Sequence, residues 1–203
     1  MLYVVIYRLQ LVKRFGCQGA DFGWRGLRLN AYSSAMHCFL TDRIQTPIGD
    51  MILVARDGVL LLLEFEDAMP RIERQMKARF QDFELRFADN PFGLSDIMRD
   101  YFSGNTKVID NILTDGGGTA FEKQVWAELR KIPCGITVSY GSIARKLGDI
   151  NHSRAVGTAN GKNPIAIVVP CHRVIGADGS MTGYGGGIKR KEWLLRHEGA
   201  LLI

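Results

Sequence analysis

Asp115-Gly116-Gly117-Gly118 divides the chain into two stretches patterned by different rules. Glycine loses more conformational freedom on ordering than any other residue, so three in a row predict a stop to regular structure. A length of 203 residues allows one domain or two small ones. The break therefore predicts an N-terminal unit over 36–118 and a C-terminal unit over 119–203. Residues 1–35 lack clean periodicity and read either as an extension outside the core or as the product of an upstream start codon, with Met36 as the real beginning.

Charge follows the same division. Residues 1–35 carry 5 basic and 1 acidic side chains, 36–118 carry 9 and 14, and 119–203 carry 12 and 6. The basic C-terminal unit is thus the one suited to a polyanion. A surplus of that size is also common on solvated surfaces, so charge alone leaves a nucleic-acid partner open.

Several classes drop out. Apolar residues at 46% and charged residues at 23% are ordinary for a chain that packs a core. The longest aliphatic run, Val59 to Leu63, is far short of the roughly 20 residues of a membrane span. Arg8, Lys13 and Arg14 lie inside and after the apolar amino-terminal stretch, the wrong order for a secretory signal. A cytoplasmic protein without membrane association is expected. Cys17, Cys38, Cys134 and Cys171 form no C-x-x-C pair and no zinc-type spacing, so neither a disulfide framework nor a metal is expected.

In the first unit, Met51–Ala55 and the leucine run ending at Phe65 flank Arg56-Asp57-Gly58, which predicts a β-hairpin. Asp67 is placed to cap a helix in which Ile72, Met76 and Phe80 recur, with Pro70 tolerated in its first turn. A further helix is expected through Leu94, Ile97, Met98, Tyr101 and Phe102, stopped by Ser103-Gly104. The expected fold is a small α/β domain, an antiparallel sheet with helices, showing no recognisable chemistry.

The second unit is helix-rich. Thr119 and Glu122 form a T-x-x-E capping box ahead of the stripe Phe121, Val125, Leu129 and Ile132. A second helix over Ser142–Leu147 and a third, capped by Ser153 and running to Gly161, with a β-ribbon after them, outline a winged helix-turn-helix. The third helix reads Arg154-Ala155-Val156-Gly157-Thr158-Ala159-Asn160-Gly161, mostly too short in side chain to reach base edges. Its small residues permit close approach to another surface, with one arginine as a probe; close helix packing is the plainer alternative.

Asn163-Pro164 precedes Ile165–Val169, an apolar run expected to be a buried strand, which ends at Pro170-Cys171-His172-Arg173. Cysteine is often simply buried. A free thiol with a pKa near 8.5 is only about 3% ionised at neutral pH, so a working nucleophile needs help. His172 adjoins it and Glu198 is available to orient the imidazole. Cys134 also follows a proline but has no histidine neighbour.

Taken together, Arg154-Ala155-Val156-Gly157, Asn163-Pro164, Pro170-Cys171-His172-Arg173-Val174, Gly183-Tyr184-Gly185-Gly186-Gly187 and Lys191-Glu192-Trp193-Leu194-Leu195-Arg196-His197-Glu198-Gly199 resemble the O6-alkylguanine-DNA alkyltransferase family, in detail its constitutive bacterial form. The resemblance runs from about Thr41 to Leu202 and is densest after Thr119. It implies direct, irreversible, single-turnover transfer of an alkyl group from O6-alkylguanine to Cys171, after the base is flipped out of the duplex at a cost of a few kcal/mol, and leaves open acceptance of O4-alkylthymine. By the same resemblance His172 is the base acting through water and Glu198 its orienting group. Tyr140 bonds the flipped guanine and helps donate a proton, and Asn163 bridges the recognition element to the active-site loop. Arg154 is the finger that fills the vacated place, on a helix (Ala155, Gly157, Asn160) lying in the minor groove. Tyr184 and Gly185 belong to the loop closing over the guanine. Arg173 either holds the carboxyl-terminal helix or contacts the DNA backbone. Double-stranded DNA bound largely without sequence preference, a monomeric state and no cofactor are expected.

Departures are local. Gly185 stands where many relatives carry Ser or Ala, and Thr119-Ala120-Phe121 replaces Thr-Pro-Phe. Cys17, His37 and Cys38 do not reproduce the zinc ligands of some eukaryotic relatives, and the cysteine-rich module of inducible relatives is not matched.

Overall fold

The computed structural model describes residues 37–201; the expectations for 1–35, Cys17 included, lie outside the described residues. Strands β1 (His37–Ile44), β2 (Met51–Arg56) and β3 (Val59–Phe65) run antiparallel in turn, the β2–β3 hairpin turning at Asp57-Gly58. Helix α1 (Met69–Phe80) then crosses over, and β4 (Phe83–Phe87) pairs parallel to β1, giving the order β3-β2-β1-β4. The sheet is therefore mixed, where an antiparallel one was expected. A helix between β3 and β4 returns the chain to the same end of the sheet, so β4 enters parallel.

Both faces of this sheet are covered, which is why β3 is a leucine run instead of an alternation. Ile52 and Val54 face α1 with Phe39, Ile72 and Met76, while Met51, Leu53 and Ala55 join a larger core shared with the rest of the molecule. A register shift in the hairpin, with Val54 opposite Leu62 and Ala55 opposite Leu60, leaves Leu61 as the extra residue and turns both Leu61 and Leu62 toward α1. Asp67 does not cap α1. It sits in a 3-10 turn over Glu66–Ala68 and pairs with Arg190, and Ala68 takes the cap position without a side-chain bond.

Helix α2 (Leu94–Phe102) follows, and the glycine segment then passes along β3: Leu60 N–H donates to Leu113 O at 2.9 Å and Asp115 N–H to Leu60 O at 3.0 Å. Gly118, at φ +79°, lies so near Trp126 that a Cβ would come within 2.7 Å of its ring. Close approach, not looseness alone, accounts for glycine there.

Helix α3 (Ala120–Arg130) starts at the expected capping box. A short strand β5 (Val138–Ser139) leads into α4 (Tyr140–Lys146), and a turn over Ile150–His152 into α5 (Ser153–Gly161). His152, not Ser153, is the cap residue of α5; the Ser153 hydroxyl donates to Ile150 O at 2.6 Å. Trp126 Nε1–H donates to Ala159 O at 2.9 Å, so α3 carries α5. The ribbon beside this helix-turn-helix pairs β5 with β6 (Val174–Ile175) in parallel, one strand before the helices and one after. Helix α6 (Ile188–His197) closes the chain.

The run Ile165–Val169 is not a strand. Only Ile165 bridges the edge of β3, with Leu63 N–H donating to Pro164 O at 3.0 Å and Ala166 N–H to Leu63 O at 2.8 Å. Beyond it the backbone turns back, Val169 N–H reaching Ile165 O at 3.0 Å with Ile167 at φ +70°. A short apolar run reports burial and not conformation, and every residue of this turn is buried.

Thr119 Oγ1 accepts from Glu122 N–H at 3.3 Å, and Glu122 Oε2 accepts from Thr119 N–H at 2.8 Å. Thr119→Ala removes the first bond and is expected to lower unfolding stability by about 1 kcal/mol, measured by urea denaturation.

Candidate active site

Cys171 opens a one-turn 3-10 helix, Cys171–Arg173, immediately after the buried turn. Asn163 builds that turn from within. Its amide Nδ2 donates to Val169 O at 2.8 Å, Ile165 O at 3.3 Å and Cys171 Sγ at 3.1 Å, and its Oδ1 accepts from Ile165 N–H at 3.0 Å. An asparagine before proline, which by itself signals a turn, thus also supplies a hydrogen-bond donor to the sulfur. Asn160 was expected on the DNA-facing side of α5. It is buried instead and donates to Cys171 O at 3.3 Å, because it shares the inward face with Val156 and Ala159.

Burial pushes the Cys171 thiol up to about 11, against the lowering effect of the Asn163 bond. The resting group is a thiol, so attack requires a base. His172 is fully buried, and burial lowers its pKa although Glu198 opposes the shift. Its Nε2 lies 3.0 Å from Glu198 Oε1. Since the carboxylate can only accept, Nε2 carries the proton and Nδ1 presents a lone pair. That buried Nδ1 has no hydrogen-bond partner.

Glu198 directly follows α6. Burial works against its charge, but bonds from Arg173 and then His172 outweigh burial and hold the carboxyl below the usual carboxylate range. Arg173 donates from Nε to Oε2 and from Nη2 to Oε1, both at 2.8 Å, and from Nη1 to Ile132 O at 2.6 Å. Of the two roles open for Arg173, the geometry favours holding the carboxyl-terminal segment. The fourth donor is Tyr101 Oη of α2, 2.8 Å from Oε1. Burial and then Glu198 raise the Tyr101 pKa, so the phenol keeps its proton.

Tyr140 opens α4 half-buried, its Oη donating to Thr182 O at 3.4 Å; burial raises its pKa. Tyr184 approaches His172 edge-on at 6.5 Å between ring centres, and its Oη is buried without a partner. Gly185 is exposed in the same loop, while Arg154 and Ala155 are exposed at the start of α5. Gly157 faces Tyr140, where a Cβ would make an ordinary 3.8 Å contact. Cys134 sits on the Glu198 side of the site, its Sγ 3.9 Å from Glu198 O.

Three residues of this neighbourhood escape a sequence reading. Tyr101 appears only as part of the α2 apolar stripe. Lys191 is fully buried, donates to Val174 O at 2.6 Å and Thr182 O at 2.8 Å, and is lowered by burial to about 8. Its position three and four residues before Leu194 and Leu195, on the inward face of α6, is the signal that could have exposed it. Arg71 reaches the same region from α1 and has no such signal.

Fold and site together point to one class: helix-turn-helix proteins with a cysteine thiol buried behind the second helix. Residues 120–200 match the family model for the 6-O-methylguanine DNA methyltransferase DNA-binding domain. The chain is 50% identical over 167 residues to the methylated-DNA–protein-cysteine methyltransferase of Salmonella typhimurium, covering 81% of this chain and 98% of that protein. The structure of Mycobacterium tuberculosis OGT in complex with DNA is similar at 40% identity and a TM-score of 0.65, covering 80% of this chain and 92% of that one. The O6-methylguanine-DNA methyltransferase of Pyrococcus kodakaraensis is similar at 27% identity and a TM-score of 0.57, covering 79% and 99%. The chain belongs to the methylated-DNA–protein-cysteine methyltransferase family.

With His172 as base, transfer is expected to hold a plateau from neutral pH upward and to fall only below pH 6.5, the ordinary imidazole value, since burial moves the titration lower. In His172→Gln the rate at neutral pH is expected to drop about 10²–10⁴-fold. It should then climb with pH toward the ionisation of the thiol at about 11. Single-turnover rates across pH test this; an unchanged plateau in the variant removes His172 from the proton path.

Proposed function

We propose that this protein repairs DNA by taking the alkyl group of O6-alkylguanine onto its own Cys171, in a single irreversible turnover. The observations that carry the reading are a buried thiol held by Asn163 and, in the next residue, an imidazole whose Nε2 meets the Glu198 carboxylate and whose unpartnered Nδ1 is free to act as the base. The Cys171 proton passes to Nδ1, through a bridging water. Sulfur then attacks the alkyl carbon in line, the S–C bond forming as the C–O6 bond breaks. The bonding pair leaves with the guanine, which takes up a proton with help from Tyr140. Developing imidazolium is stabilised by Glu198. A thioether has no easy hydrolytic route, which accounts for one turnover per molecule.

The DNA is double-stranded, and it is bound largely without sequence preference by α5, whose exposed Arg154 and Ala155 support a close approach and an inserted finger. Tyr184 and Gly185 close over the extruded base. Residues 36–118 and 119–203 are two domains built on a shared core, the second carrying the DNA contacts and Cys171 and the first supporting its site; the protein is a monomer working in the cytoplasm. None of the described helices is long and apolar enough to cross a membrane.

Incubation with duplex containing O6-methylguanine is expected to add one methyl mass to the peptide that holds Cys171 and none in Cys171→Ala. Methyl retained on DNA at equimolar protein rejects the assignment. Arg154→Ala is expected to slow repair of duplex at least about tenfold, the equivalent of roughly 1.4 kcal/mol of the flipping cost, with less effect on free O6-alkylguanine. Equal loss on both substrates, measured side by side, removes the finger role.

A further inference from the structure

The cavity above Cys171 measures about 10 Å³, room for a single water. Its walls are unequal. Asn160, Asn163 and Ala166 are core residues with at most 4% of their surface exposed. Arg71 alone among the cavity's charged and long side chains reaches in from the other domain with an end open to solvent, its side chain 25% exposed. Its Nη2 donates to Gly161 O at 3.1 Å and Asn163 O at 2.8 Å, and lies 3.5 Å from Glu64 Oε2. Its Nη1 occupies the space beside Gly185 that a Cβ would need. The missing side chain of Gly185 is thus replaced, in volume, by a guanidinium from α1.

We propose that Arg71 determines which alkyl groups the site accepts, by occupying part of the cavity that Cys171 also lines. This rests on the alkyl-transfer reading above. A methyl group reaches Sγ with the guanidinium in its seat. A bulky group needs that seat vacated, which breaks two bonds to carbonyl oxygens and separates Arg71 from the buried Glu64. The side chain can leave because it is long and emerges at the surface; the asparagines and Ala166 cannot. Arg71 acts as a wall and takes no part in the bond changes.

The test compares single-turnover transfer from duplex carrying O6-methylguanine with transfer from duplex carrying O6-benzylguanine, and reads the benzyl-to-methyl rate ratio within each preparation. Because the methyl reaction counts active molecules, a partly unfolded variant still reports. Arg71→Ala is expected to raise the ratio at least about tenfold, the scale on which a pocket discriminates by steric fit. Arg71→Met, which keeps much of the volume but no charge, is expected to raise it clearly less. A ratio unchanged in Arg71→Ala, including an equal fall of both rates, overturns the proposal and leaves Arg71 a structural brace. Equal ratios in the Ala and Met variants also overturn it, because charge and not volume would then set the limit. Absence of methyl transfer from the unsubstituted protein would instead defeat the reading on which the proposal rests.

Discussion

A carboxylate with no exposed side-chain surface is an expensive object to bury, and Glu198 is tolerated only because four donor contacts converge on it. Removing one partner of such a pair costs about 3–5 kcal/mol, since the other charge is left stranded. The donors come from distant parts of the chain: Tyr101 from α2, and His172 and Arg173 from the reactive turn. Their convergence holds α2, the cysteine turn and the end of α6 in one arrangement. Arg173 also has an electrostatic task. Burial is the largest influence keeping His172 neutral; the Glu198 carboxylate pulls a proton toward the imidazole, and the guanidinium beside it opposes that pull. The imidazole can therefore stay neutral with Nδ1 unprotonated.

The reactive turn depends equally on its supports. Its amino-terminal end is pinned to the edge of β3 by two backbone bonds, its interior is spanned by Asn163, and Asn160 holds Cys171 O from α5. A helix that faces outward with Arg154 and Ala155 thereby touches the cysteine backbone on its inward face. Positions of α5 one residue apart differ in role because successive residues point about 100° apart around the helix. This is why Asn160, within a stretch of small residues, belongs to the site and not to the outer surface.

The first unit shows no motif chemistry in its sequence, yet it contributes Tyr101 to the carboxylate, Arg71 and Glu64 to the cavity, and the β3 edge to the turn. Arg190 of α6 completes the junction, donating to Ile48 O at 2.8 Å and Gly186 O at 3.2 Å and pairing with Asp67 at 2.8 Å. The loop carrying Tyr184 and Gly185 is consequently tied to the first unit as well as to α6.

Local rules set much of this architecture in advance. The Asp57-Gly58 hairpin, the Thr119–Glu122 capping box, the α2 and α3 stripes and the glycine break depend on neighbours a few residues apart, and each can be read from the sequence. The adjacency of Cys171 and His172 can be read in the same way. What needed the folded chain is everything defined by long separation: β4 entering parallel, Ile165–Val169 coiling as a turn, and Tyr101 meeting Glu198 97 residues later. Periodicity records which residues are buried but not against what. The identity of a buried partner is decided only when the elements pack, and here that packing turns an ordinary stripe tyrosine, a pre-proline asparagine and a surface-patterned arginine into parts of one site.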